Sequence, residues 1–510
     1  MSERAAPIAK TFALQAPARG EEQSRLRRAG WTIAAVFVLS AAAQALFAPS
    51  SDVSWLITFC EKVLAGERPY IDVIESNPPA AFLVYMPAVF AAEITSLPAE
   101  LLVAVSVFVA IAGSLALCAL ILIRAGIAAR LGAPGLAIAA AVLALLPGRQ
   151  FAEREHIALI AGLPLLAALT ARASGAKVEA PLALLVGLGG ALMASIKPHF
   201  ALIVLAVLPY LVRRIGLTGL LRASELYVAA AAAALGLALT AVFFPAYLDK
   251  IVPLATLVYV PVRTPLLGLA LNQGFLCWAT LGVTLLLLAR GRISDCVVAA
   301  PALGSIGAAA AFLIQGKGWP YHLYPAIALM ALALGACMAE PTSDFRRRAT
   351  AAAIGASGFI FAFVYFSHPP REDEAPLERL VAALAPHPKV LTIGPDIALG
   401  FPLTRNVSGT WVGAPMGLWI TASIDYLTRK SAPDEARRRR YEAYLRFDRE
   451  RLVAEIATKK PDAILVENAK WRDWAFAHPD VAAALADYAP VGAVGEATVY
   501  GRKLGLKPTQ

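Results

Sequence analysis

The sequence predicts a polytopic α-helical membrane protein of about 11 spans with a small C-terminal α/β domain. Three observations carry this prediction. The 510 residues are 58% hydrophobic, with a mean hydropathy of +0.64. Only 16% are charged, against about 25% in soluble domains. The composition also changes after Phe366, where "HPPREDEAPLERL" opens a charged region that continues to Gln510. The net charge of +10 is read as the Lys/Arg excess of cytoplasmic loops, and nucleic acid is not an expected partner. The five cysteines show no CxxC spacing, so neither a disulfide framework nor a zinc cluster is predicted.

Residues 1–30 read as a cytoplasmic tail ending in "RLRRAG". The apolar run Trp31–Ala48 contains "AQA", which mimics a cleavage site. The run is longer than the roughly 7–15 residues of a signal-peptide core, so it is expected to stay as the first span. Further spans are expected at 99–123, 134–147, 157–171, 180–196, 200–212, 225–244, 266–289, 296–314, 320–339 and 348–366. The membrane region is thus 31–366. Residues 79–94 are apolar enough for another crossing, but Lys/Arg counting argues otherwise. If 79–94 lies along the surface, the inner segments carry more than twice as many Lys and Arg as the outer loops. If it crosses, every later loop changes sides and the bias is lost. The expected topology therefore has a cytoplasmic N-terminus and a periplasmic C-terminal domain, in a bacterial inner membrane. That domain, 367–510, alternates strand-like runs ("KVLTIG", "DAILVEN", "ATVYGRKL") with helix-like segments such as 433–458. Its Trp411 and Trp419 read as interfacial anchors.

With this topology the unusual polar residues gather at the outer ends of the spans. They are Asp52, Asp72, Glu75 and Asn77, then "GRQFAEREH" (148–156), "SIKPHF" (195–200) and "QGKGWPYHLYP" (315–325). Ionisable groups beside Pro/Gly-rich backbone at a membrane boundary point to a cavity. Each cluster also has a bland reading as a helix start, a snorkelling lysine or an aromatic belt. A shared site accounts for all of them together. The stretch "DVSWLITFCEKVLAG" has the 3–4 spacing of an amphipathic helix, which would lie on the membrane and hold Asp52 at fixed depth.

The first external loop, "LAGERPYIDVIESNPP", resembles that of family 39-like glycosyltransferases of the GT-C superfamily, the branch of protein O-mannosyltransferases and the lipid A aminoarabinose transferase. The shared elements are Asp52 after the first span, then Gly66, Tyr70, Asp72, Pro78 and Pro79. An acidic second loop (Glu153, Glu155), the Lys197-Pro198 turn and a periplasmic C-terminal domain complete the pattern. Two positions depart from it. The second loop has Glu-Arg-Glu-His where relatives show a single Asp, and Asn77 stands where the aminoarabinose transferase type has Lys. The resemblance implies transfer of a sugar from a polyprenyl-phosphate donor to a glycolipid, polysaccharide or protein acceptor at the periplasmic face, among membrane lipids.

Asp52 is then the expected base, with Glu75 and Glu155 as further catalytic carboxylates. Arg154, Lys197, His199, Lys317, Tyr321 and His322 are candidates for the donor phosphate, and Tyr70 and Asn77 for substrate contact. No cofactor is assigned. A divalent metal is left open, with His156 and Glu153 as the candidates. Two other classes compete. One is a transporter or flippase of a lipid-linked or anionic substrate, for which Asn272 and Gln273 would be the polar groups within a span. The other is a lipid-binding scaffold without turnover.

Overall fold

The computed structural model describes residues 19–47, 49–289, 292–339, 345–369, 371 and 374–503. Most of the tail expected at 1–30 lies outside the described residues. Every expected span falls mainly on helix, although 200–212 and 266–289 are each broken into two helices, 134–147 ends in a turn after Ala144, and Ala48 lies outside the described residues. Among the described residues five helices are long and apolar enough to cross a membrane by themselves, or up to seven if two bent pairs each form one span. The others, such as Ala180–Ile196 and Gln273–Ala289, are shorter.

Burial orders these helices from centre to rim. Arg154–Ala173, Cys296–Gln315 and Pro320–Ala339 are mostly buried within the protein, whereas the apolar window of Ser224–Phe243 is wholly unburied. An all-apolar helix that leaves its surface uncovered is suited to lipid. At the centre, polar side chains and small residues join the helices. Trp278 Nε1 donates to Ser305 Oγ, and Ser305 Oγ donates to the Ala326 carbonyl (2.7 and 2.6 Å). Helix Ala180–Ile196 approaches Arg154–Ala173 so closely that a Cβ on Gly189 would lie 2.3 Å from the Ala161 carbonyl oxygen.

The stretch 79–94 forms two short helices, Ala80–Leu83 and Met86–Thr95. Ten residues rise only about 15 Å, half of a bilayer core. The helix expected after Asp52 is present as Ser51–Leu64, bent 80° from the first apolar helix. Its environment differs from the expectation. Val53 through Cys60 are all buried, on every side of the helix. It is enclosed because the C-terminal domain covers the face that an interfacial helix would leave open. Trp55 packs edge-on to Phe401 at 5.6 Å.

The C-terminal domain is built on a five-stranded sheet, β1 (Lys389–Ile393), β2 (Thr410–Trp411), β3 (Ala463–Val466), β4 (Tyr488–Val494) and β5 (Ala497–Arg502), in the order β2-β1-β3-β5-β4. β1 runs parallel to β2 and β3, while β5 is antiparallel to β3 and β4. β1 and β3 are central and almost wholly buried, which explains why they read as continuous apolar runs. The edge strands β2 and β4 carried no such signal. Trp411, expected as an interfacial anchor, is buried against Phe401 at 4.9 Å. An ion cluster docks this domain on the membrane region. Arg405 binds Glu61 through two nitrogens (2.7 and 2.9 Å), bonds Thr58 Oγ1 at 3.1 Å and also pairs with Glu100. The Ile74 N–H donates to the Ala414 carbonyl at 2.9 Å. An apolar cluster joins Leu254 and Val258 to Trp419, Ile420 and Ile424.

Candidate active site

Between the membrane helices and the C-terminal domain lies a cavity of ≈1190 Å³. Two helix N-termini meet at its floor. Ser50 caps helix Ser51–Leu64 by accepting from the Val53 N–H (3.2 Å), and its hydroxyl also bonds Glu153. Glu153 is the residue before helix Arg154–Ala173. Asp52 sits in the first turn of one helix and Arg154 opens the other, and their side chains pair, Nη2 to Oδ1, at 2.5 Å. An arginine at a helix N-terminus opposes the macrodipole, and the Asp52 carboxylate offsets that cost. The free N–H groups of the same N-terminus favour an anion bound at that end of the helix.

Five basic side chains line the cavity: Arg149, Arg154, Lys197, Arg263 and Lys317. Lys317 is presented by a Gly-Lys-Gly turn. Gly316 ends helix Cys296–Gln315 with φ 67°, and Gly318 has φ 79°. A side chain at Gly316 is barred twice, because its Cβ would also meet Arg263 Nε at 2.6 Å. Lys317 Nζ donates to the carbonyls of Tyr259 and Val262 (both 2.6 Å) and lies 3.8 Å from the Tyr259 ring centroid. Burial, with Arg263 nearby, pushes its pKa down to about 8.

The structure brings Asp52, Asn77, Glu153, Arg154, Lys197, Lys317 and Tyr321 to the cavity wall. Other expected residues stand outside the lining. Glu75 is buried and turned away, accepting from Trp55 Nε1 (2.6 Å), the Asn77 N–H (2.9 Å) and Asn77 Nδ2 (2.5 Å). Tyr70 has φ 65° in the left-handed region, and its hydroxyl donates to the Asn77 carbonyl at 2.9 Å. Its ring is buried against Tyr247 and Phe59. Both residues therefore shape the loop that presents Asn77. Glu155 is fully buried behind Lys197 and pairs with it. His322 joins this pair, its Nε2 3.2 Å from Lys197 Nζ and 3.5 Å from Glu155 Oε1. His199 packs edge-on against Phe200 rather than reaching the cavity. Asp72 is half-buried at the surface and held by Arg68, whose side-chain and backbone hydrogen bonds keep its carboxyl below the usual range.

The metal candidates do not converge. The Ala152 N–H donates to His156 Nδ1 (3.1 Å), and His156 Nε2 lies 2.7 Å from the Leu143 carbonyl. Both ring nitrogens are thus used by backbone, which fits one neutral tautomer. Among the described residues no group of three or more His, Cys, Asp or Glu side chains is arranged to hold a metal ion. Asn272, expected within a span, instead caps the start of Gln273–Ala289 by accepting from the Gly274 N–H at 2.9 Å. Gln273 lines the cavity.

Sequence reasoning missed much of the aromatic lining: Tyr259, Trp319, Tyr365, Trp419 and Tyr426. Trp319 was visible inside "QGKGWPYHLYP" but carried no charge to draw attention. Tyr259 ends, and Arg263 follows, a π-helical stretch, Tyr247–Ile251 and Ala255–Tyr259, that no periodicity announces.

No family model and no curated protein matches the chain. Among solved structures it is similar to ArnT from Cupriavidus metallidurans in the apo state, with 14% identity over 93% of this chain and 98% of that one, and a TM-score of 0.54. It is also similar to the archaeal oligosaccharyltransferase AglB from Archaeoglobus fulgidus, solved with an inhibitory peptide and a dolichol-phosphate. There the identity is 10%, the coverage 96% and 76%, and the TM-score 0.46. The likeness to ArnT over nearly the whole of both chains shows a GT-C-like fold.

Proposed function

We propose that this chain is an integral-membrane glycosyltransferase that moves a sugar from a polyprenyl-phosphate donor to an acceptor hydroxyl. One observation carries the reading: a single cavity holds five basic side chains and, paired to one of them, Asp52. An anionic leaving group needs the first and an acceptor proton needs the second. The resemblance of the first loop to family 39-like enzymes and the GT-C-like fold support it.

In this reaction the acceptor oxygen forms a bond to the anomeric carbon as the bond from that carbon to the phosphate oxygen breaks. The electron pair leaves on polyprenyl phosphate, and the acceptor proton passes to Asp52. Burial raises the Asp52 pKa, as suits a group that takes up a proton, while Arg154 on Oδ1 works against that rise and orients the carboxylate. Arg154, Lys197 and the Arg263–Lys317 lip face the developing phosphate charge. Glu155 and His322 hold Lys197, and Glu75 holds Asn77. Sugar transfer from a radiolabelled polyprenyl-phosphate donor in reconstituted vesicles tests the reading. Substrate translocation without bond cleavage would move a flippase to first place.

Lys317 gives the donor site a pH signature. Its folded pKa of about 8 lies below the ordinary 10.5 of lysine, so the ammonium is lost as pH rises through about 8. Donor affinity should fall over that interval, and Lys317→Met should both weaken binding several-fold and flatten the profile. An unchanged profile in the variant would remove Lys317 from the site.

We further place the C-terminal domain and the cavity on the periplasmic side of a bacterial inner membrane, from the Lys/Arg bias. All five native cysteines are buried, which leaves little background for labelling. A cysteine at exposed Ala375 should react with an impermeant thiol reagent in intact cells, and one at exposed Ala129 should be protected. The opposite pattern would invert the topology.

A further inference from the structure

We propose that helix Trp419–Lys430 presents a subsite for a neutral saccharide, which on the transferase reading above is the acceptor. Trp419, Ala422, Ser423 and Tyr426 all line the cavity. Their spacing of three, four and seven puts them on one helix face. Two small residues lie between two aromatic ones, whose positions are about 10 Å apart along the axis. Trp419, buried against Tyr259, closes one end of this face, the exposed Tyr426 ring stands at the other, and the Ser423 hydroxyl lies between them. Among the described residues the Ser423 hydroxyl makes no side-chain hydrogen bond, so it is available. The aromatic surface continues onto the membrane side, where Tyr259 meets Trp419 edge-on at 6.1 Å and Trp319 lies 6.4 Å from Tyr259. Trp319 is 39% exposed at this wall.

Aromatic faces with an apolar body and a polar partner nearby suit pyranose rings, which carry C–H faces and hydroxyl rims. The cavity is charge-divided, and this defines the ligand further. The five basic residues lie on loops and helix ends of the membrane region; on Trp419–Lys430 no lining residue is a cation, and Lys430, one turn past Tyr426 with its Nζ 5.9 Å from that ring centroid, stands outside the lining. The acidic lining residue on the domain side is Asp396. Asp396 is itself paired with Arg371 (2.9 Å), so the lining residues on this wall offer a phosphorylated acceptor end no cation of their own. A peptide is also disfavoured, because extended peptides are commonly held by strand addition and neither edge strand, β2 nor β4, contributes to the lining. At ≈1190 Å³ the cavity exceeds the roughly 300–1,000 Å³ typical of one small ligand, which leaves room for a donor head and an acceptor sugar together.

The test uses the full chain in nanodiscs. Maltotriose, cellotriose, mannotriose, N-acetylchitotriose and a Ser/Thr-rich heptapeptide are titrated, with saturation-transfer NMR and tryptophan fluorescence as readouts. At least one trisaccharide should bind saturably. Tyr426→Ala, which removes an exposed ring, and Ser423→Trp, which crowds the face between the two aromatic residues, should each weaken it at least about tenfold. Binding of polyprenyl phosphate, measured separately, should stay within about twofold of wild type in both. The subsite is overturned if no trisaccharide saturates, if the heptapeptide binds in their place, or if both variants bind sugar like wild type. Loss of polyprenyl-phosphate binding in the wild-type protein would instead strike the donor reading, and the sugar titration would still decide the subsite.

Discussion

Asp52→Asn should lower sugar transfer at least about a hundredfold, the lower range for loss of a general base. The substitution keeps the shape of the side chain and removes its charge. The Asp52 carboxylate lies within the basic lining of the cavity and is paired with Arg154 at 2.5 Å. Removing a negative charge there leaves the attraction for a phosphate equal or stronger. Donor affinity should therefore hold or rise while turnover falls, which separates a base from a binding residue. Fold integrity is checked by elution profile and detergent thermostability, since Arg154 loses a partner but keeps Glu153 and Glu155 as sequence neighbours. Near-wild-type turnover would end the assignment and favour transport.

Lys197→Met should cost stability as well as activity. From sequence, Lys197 reads as a phosphate ligand or a snorkelling residue that expression would tolerate losing. The structure buries it against Glu155, whose side chain is fully shielded. Removing one member of a buried ion pair strands the other and costs about 3–5 kcal/mol. Adding Glu155→Gln to the same chain should recover much of that loss, because no uncompensated charge is left. The double variant should regain thermostability in detergent and still bind donor weakly. If Lys197→Met alone melts like wild type, the pair is not the structural unit described here. If the double variant also recovers donor affinity, Lys197 serves Glu155 rather than the phosphate.

The apolar helices were legible because apolar length is a local property, though of the eleven expected spans only five to seven among the described residues are long and apolar enough to cross a membrane, and β1 and β3 were legible because they are buried on both faces. Asp52, Arg154, Lys197 and Lys317 were legible because a charge beside an apolar run is conspicuous. What the sequence could not convey is which way a polar side chain turns. Glu75 and Asp52 looked equivalent in one loop, yet Glu75 is taken by an indole N–H from the helix before it and by the amide of Asn77. Glu155 and Glu153 are two residues apart, and that half turn at the helix start sends them to different surroundings. The domain-side wall was invisible for another reason. Trp419 and Tyr426 lie hundreds of residues from Asp52, and helical spacing of aromatics is as common in cores as at ligand sites.

Arg405 holds consequences for how such a protein is made. It joins Glu61, 344 residues earlier, on the helix that also carries Asp52. During synthesis at about 5–20 residues per second, tens of seconds separate these two segments. Through that interval the helix bearing Asp52 is already in place, but its covering domain does not yet exist. The cavity has no domain-side wall until the ribosome has delivered the final third of the chain. The activity proposed above would thus switch on only at the end of biogenesis, and a truncated or stalled chain would sit in the bilayer with Asp52 and the basic lining but no enclosed chamber around them.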